Sequence, residues 1–343
     1  MEEKRNSRIT IREVADRANV SITTVSRCLN GTKRVNPDVE QRILDAVREL
    51  NYIPNASAQN IRRGCSNLLG VVVPDIANPY FSGICKEMER LFFDHGYHLI
   101  IGSTGDHPLK EQSMLYSLQK HRIDGLIVST NGQNDDALKQ LKDQGLPLVL
   151  FDRFQPGLDV DYVLEDNYGN ARLCIRYLLD QGHKRIAVVK GYPSIVSARR
   201  FEACEDAVKE AGLDLDPSLC MEPCSSYEEY CQKFFSLFTM PDRPTAVFLS
   251  NPAQMKYFVM AANQYGIRLP EDLSFTGFGM EDYKNLFPCS ATCMIQDYES
   301  SAQAIVRIML ERLSDSKNAG EVPAKKIQVP CFFHIGSSVR KIF

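Results

Sequence analysis

The chain has 343 residues, 44% of them apolar, with forty Lys and Arg against forty-three Asp and Glu for a formal net charge of −3. That length accommodates one small and two medium domains, or one large one, with apolar content enough for substantial cores. No apolar run reaches the roughly 18 residues needed to span a membrane, and the eleven cysteines are scattered, odd in number and unlike a disulfide framework.

The charge is not evenly spread. Residues 1–65 hold twelve Lys and Arg and eight Asp and Glu, a surplus of +4, whereas the other 278 residues carry −7. A basic head on an acidic body suits a protein that presents one end to phosphate. The start, Met1-Glu-Glu-Lys-Arg-Asn6, is polar and lacks a signal peptide, so a cytoplasmic location is expected.

In chain order, the first helix begins at Thr10, which can cap it, with Glu13 completing a capping box. Val14 and Ala18 form its apolar edge. Asn19 is the residue of the turn that best tolerates a left-handed backbone. Ser21 caps a second helix that buries Val25 and Leu29 and turns Ile22, Thr23, Ser26 and Arg27 outward. Two short helices joined this tightly form a helix-turn-helix, whose second helix enters the DNA major groove. Asn36-Pro37-Asp38 then opens a third helix, with Val39, Ile43, Val47 and Leu50 on its packed face. Tyr52-Ile-Pro-Asn55 ends it, and Asn55 can cap a short segment closed by Gly64.

From Leu68 the chain alternates strands and helices. Leu68–Pro74, Tyr97–Gly102, Ile123–Ser129 and Pro147–Phe151 read as buried parallel strands. Segments such as Ser82–His95 and Lys110–Lys120 are the helices between them. A second series has strands at Arg185–Lys190, Thr245–Leu249 and Leu273–Gly277, with helices near 170–181, 198–211 and 254–265. Repeated units of this kind give doubly wound sheets, and two series argue for two similar lobes. Two sequential domains divided near residue 160 fit the periodicity as well.

Residues Thr10-Ile-Arg-Glu-Val-Ala15, Val20-Ser21, Thr24-Val-Ser-Arg-Cys-Leu-Asn30-Gly31, Leu50-Asn-Tyr-Ile-Pro-Asn-Ala56 and Ile61-Arg62 together resemble the lactose-repressor (LacI/GalR) family of bacterial transcription regulators. The resemblance continues through almost the whole chain. It implies an all-α helix-turn-helix head at 9–54, a hinge at 55–65, and a periplasmic-binding-protein-like α/β core of two doubly wound lobes at 66–343. The implied crossings near Glu165, Asp297 and Val322 put 66–165 and 297–322 in lobe one, and 166–296 and 323–343 in lobe two.

At DNA, helix-turn-helix geometry brings the start of the second helix to base edges. Ile22 offers apolar contact, Thr23 leads into the groove, and the fork of Arg27 suits guanine. Ser21, Thr24, Ser26 and Asn30 are the expected phosphate or structural groups. By resemblance, Asn55 starts a hinge helix in which Ile61 is the minor-groove wedge and Arg62 a phosphate contact. So short a segment is unstable alone in water, which suits folding on DNA when two copies meet.

The resemblance also places a small-molecule effector between the lobes, lined by Tyr80, Phe81, Arg153, Arg200 and Gln296. Gly279 and Pro252 stand where relatives often carry acids. The expected consequence is that Arg153 and Arg200 are under-neutralised and that the effector is a sugar or sugar derivative, an anionic one such as a sugar phosphate or sugar acid being favoured. The partners implied are double-stranded operator DNA, the effector and a second copy of the chain, with no membrane. No catalytic residues are expected, since a phosphate loop and Gly-x-Ser-x-Gly are missing and the six His do not cluster with Ser or Cys and an acid. No cofactor is implied. Cys220 with Cys224, and Cys289 with Cys293, lack the His ligands a zinc site would want. The rival reading is a solute-binding receptor without a gene-regulatory role.

Overall fold

A computed structural model describes residues 9–30, 34–52, 65–283, 287–315 and 323–342. Residues 1–66 and 67–343 form two compact units.

The first unit holds α1 (Ile11–Ala18), α2 (Ile22–Asn30) and α3 (Pro37–Glu49). The Glu13 carboxylate accepts from the Thr10 N–H at 2.6 Å and from its hydroxyl at 2.9 Å, while Thr10 Oγ1 accepts from Glu13 N–H at 3.4 Å. These bonds hold the Glu13 carboxyl below its usual range and close the expected capping box. Asn19 ends α1 in the left-handed region, at φ 54°. Ser21 Oγ then accepts from Thr24 N–H at 3.1 Å, and Asn36 caps α3 through Asp38 N–H at 2.9 Å. The core of this unit is Val14, Ala15, Ala18, Val25, Ile43, Ala46 and Tyr52.

The second unit contains two six-stranded sheets. Lobe one is built on β1 (Leu68–Val73), β2 (His98–Ser103), β3 (Gly125–Val128), β4 (Leu148–Phe151), β5 (Asp161–Glu165) and β11 (Lys326–Val329), ordered β11-β5-β4-β3-β1-β2 and wholly parallel. Its helices include α4 (Pro79–Phe93), α5 (Pro108–Lys120), α6 (Asp135–Asp143) and α11 (Tyr298–Asp315), which packs on α4.

Lobe two uses β6 (Ile186–Val189), β7 (Cys220–Met221), β8 (Ala246–Leu249), β9 (Ser274–Gly279), β10 (Cys293–Gln296) and β12 (Cys331–His334), ordered β12-β10-β9-β8-β6-β7, with β12 antiparallel to β10. Its helices are α7 (Asn167–Asp180), α8 (Ile195–Glu210), α9 (Tyr227–Thr239) and α10 (Pro252–Gln264). The first five strands of each lobe repeat one doubly wound order. Ligands bind such sheets at the carboxyl ends of the strands, where the order reverses.

The chain crosses from β5 into α7 and from β10 into α11, but the third crossing corrects the expectation. Val322 itself lies outside the described residues. Beyond it, β11 pairs in parallel with β5, from Lys326 opposite Tyr162 to Val329 opposite Glu165, so residues 323–329 belong to lobe one and the crossing falls at Pro330. The physical reason is Asp161: its carboxylate takes two 2.7 Å bonds from Arg312 and one of 2.8 Å from Lys325 N–H, fastening the returning chain to β5.

Candidate functional site

In the first unit, α2 buries Val25 and presents the opposite face. Ser21, Thr23 and Arg27 are exposed, Thr24 and Ser26 are half-buried, and Ile22 is 43% exposed despite its apolar side chain. Arg17 and Arg48 pair with Glu49 and Asp45, whereas Arg27 joins no ion pair among the described residues. The hydroxyls of Ser21 and Thr24 lie 2.8 Å apart at the helix start, beside backbone N–H groups suited to a phosphate. Asn30 lies in the last turn of α2. Asn55, Ile61 and Arg62 lie outside the described residues.

In the second unit, a cavity of about 410 Å³ opens between the lobes, and Tyr80, Phe81, Arg153, Arg200 and Gln296 all line it. Asn78 caps α4, accepting from Tyr80 N–H at 3.1 Å, and with Pro79 at the first helical position this sets both aromatic rings in the first turn. Phe81 meets Tyr80 edge-on at 5.3 Å and Phe151 at 6.1 Å. These contacts fix a rigid apolar wall at the end of β1.

Arg153 follows β4 and is 8% exposed. It donates through both terminal nitrogens to Asp106, one bond being 3.1 Å, and its Nε lies 3.7 Å from Asp152. Asp106 sits just past β2 in a turn with φ 57°. Burial pushes the Asp152 carboxyl up, against the opposing charges of Arg153 and Arg200.

Arg200, in α8, donates from Nε to Asn167 Oδ1 at 2.8 Å and from Nη1 to the Ser250 carbonyl. Its guanidinium carbon lies 3.4 Å from the centre of the Phe278 ring, and Nη2 lies 3.9 Å from Glu165 Oε2. Burial pulls Arg200 down and pushes Glu165 up, each opposed by the other's charge. Gln296 donates to Glu165 at 2.8 Å, tying the ends of two crossing strands together.

These contacts differ from the charge balance expected of the two arginines. Neither arginine is under-neutralised: Arg153 is clasped by Asp106, and Arg200 is taken up by neutral acceptors, an aromatic face and Glu165. The cavity lining carries Asp75, Asp106 and Asp152 against two guanidiniums. Asp106 and Tyr192 were not singled out from the sequence. Gly105-Asp106 directly after an apolar strand was the available signal, since that places an acid at the carboxyl end of a strand beside the switch point.

Among the described residues, no helix is long and apolar enough to cross a membrane. The family model "Bacterial regulatory proteins, lacI family" matches residues 10–55, and "Periplasmic binding proteins and sugar binding domain of LacI family" matches residues 66–335. The chain is 30% identical over 335 residues to the HTH-type transcriptional repressor PurR of Haemophilus influenzae (strain PittEE), covering 97% of this chain and 99% of that one. Among solved structures, the lac repressor dimer bound to operator and the anti-inducer ONPF is similar at a TM-score of 0.74 and 22% identity, over 97% of this chain and 99% of that one. A LacI family regulator from Enterococcus faecium with bound ribose is similar at 0.71 and 23% identity, over 80% of this chain and 100% of that one. The helix-turn-helix unit and the two-lobed core thus match together along the chain, which belongs to the lacI family of bacterial regulatory proteins and is a DNA-binding transcription regulator.

Proposed function

We propose that this protein is a cytoplasmic repressor that binds a pseudo-palindromic operator as a homodimer and changes its DNA affinity when a small polyhydroxylated ligand enters the cleft. The outward face of α2 carries this reading: an exposed Arg27 that joins no ion pair among the described residues and an exposed Ile22, on a helix whose other side is packed. The lac repressor relative is a dimer on operator DNA, and the Enterococcus regulator holds ribose, which supports the dimer and the ligand class. The paired charges and aromatic rings of the cleft suit hydrogen-bonded binding of a polar ligand. We assign it no catalytic role: the relative it matches along nearly its whole length is a transcriptional repressor, and among the described residues the buried charged groups of the cleft are tied to one another.

The test is to select bound sequences from a random duplex pool with the full chain and with Arg27→Ala. The parent should enrich a two-fold symmetric site. The variant should lose about 1–3 kcal/mol of discrimination at one base pair of each half-site. Equal weakening on every sequence would make Arg27 a phosphate contact, and enrichment of no site would remove the operator-binding reading.

A further inference from the structure

The charges around the cleft cavity narrow the ligand further. Both lining cations are already engaged: Asp106 clasps Arg153 through two bonds, and Asn167, the Ser250 carbonyl and the Phe278 ring surround Arg200. An incoming phosphate or carboxylate would meet a lining of three acids, Asp75, Asp106 and Asp152, against two guanidiniums that already have partners, so the charge left over is that of Asp75.

Asp75 differs from the other two acids. It is exposed, it joins no ion pair among the described residues, and the hydrogen bond to one of its oxygens is a 2.9 Å contact from Ala77 N–H. Tyr192 of lobe two also lines the cavity. Burial raises its phenol first, and then the Cys224 thiol and the charges of Glu229, Asp75 and Asp106 raise it further, so the lobe-one acids act on it across the cleft. Its hydroxyl proton is committed to the Cys224 carbonyl at 2.5 Å, and the residue is 45% exposed, so the ring and the phenol oxygen face a ligand as electron-rich groups. Carboxylates opposite an aromatic ring attract a cation in two ways, by charge and by the ring quadrupole.

We propose that the cleft ligand is a polyhydroxylated molecule carrying a protonated amine, with the ammonium held between Asp75 and Asp106 of lobe one and the Tyr192 ring of lobe two. This rests on the cleft being the effector site. Asp75 is then the specificity-determining residue, because among the described residues it is the lining acid that joins no ion pair.

The experiment is equilibrium dialysis of the full chain at pH 7 against an equimolar mixture of D-glucose, D-galactose, D-glucosamine, D-galactosamine, D-glucose 6-phosphate and D-gluconate, with retained sugars read by mass spectrometry. An amino sugar should be retained at least about tenfold over its parent sugar, and Asp75→Asn should bring the two within about twofold, with an unchanged melting temperature showing that the variant is folded. Retention of the phosphate or the acid in preference, equal retention of amino and parent sugars, or no retained amino sugar overturns the inference. A retained non-amine sugar that Arg200→Lys abolishes overturns the amine alone and leaves the effector cleft standing. An amino sugar retained undiminished by both Asp75→Asn and Arg200→Lys binds elsewhere and overturns both.

Discussion

The two lobes share a strand order but divide the chemistry of their common cleft. Lobe one contributes most of the charge, in Asp75, Asp106, Asp152 and Arg153, beside the Tyr80 and Phe81 rings. Lobe two contributes Tyr192, Tyr230 and Tyr257, several neutral polar groups and Arg200. The repeated scaffold sets where the cleft lies, at the strand ends where the order reverses. The residues just past those ends set what it can hold, and they differ between the halves.

The strongest way to break this comparison is to remove the cation that lobe two contributes. Arg200→Ala should cost about 3–5 kcal/mol, because it leaves buried Glu165 without its counter-charge. Urea unfolding measures it, and a loss below about 1 kcal/mol would mean that the lobes do not depend on each other's charge.

A second test contrasts buried titratable groups on opposite sides. Burial raises Glu165 at the end of lobe one's β5, so the folded protein holds this proton more tightly than the unfolded chain. Its contribution to stability is full below the unfolded value of about 4.3 and is lost as pH rises through the folded value. In lobe two, burial lowers His183, which bridges Thr245 and the Arg340 carbonyl at 2.9 and 3.0 Å. Its contribution is lost as pH falls below the unfolded value of about 6.5. Glu165→Gln should therefore gain on the parent as pH rises, and His183→Gln should flatten the loss as pH falls below about 6.5. Opposite slopes in urea titrations across pH sharpen the contrast, and parallel slopes remove it.

The smallest effect tests the shared scaffold instead. Asn78 caps the helix after lobe one's first strand and Ser194 the helix after lobe two's, each accepting a backbone N–H at 3.1 Å. Alanine at either position should cost about 1 kcal/mol, nearly equally, in thermal unfolding. A difference above about 1 kcal/mol would mean that the equivalent caps carry unequal load.

What was legible in the sequence follows the range of the interaction. The capping box at Thr10, the left-handed Asn19 and the Asn36-Pro37 start are written in residues one to three apart, and all stand in the structure. Unbroken apolar runs such as Leu68–Val73 and Ala246–Leu249 declare central strands, because both faces are covered. Lys326–Val329 alternates polar and apolar residues as an edge strand does, and nothing local says which sheet it joins. The Asp106–Arg153 clasp spans 47 residues. The acid that answers Arg153 is therefore not legible from the residues around it, whereas Gly279 and Pro252 are legible as departures from the family pattern at single positions.

The fastening of β11 to β5 also bears on the order of folding. Asp161 must wait for Arg312 and Lys325, 151 and 164 residues later, so lobe one leaves the ribosome with an open sheet edge and without α11 against α4. Lobe two has its first five strands in hand by Gln296. The half synthesised first is thus completed only by chain that emerges after most of the other half. During that interval its exposed edge is the part of the nascent protein most open to wrong pairing.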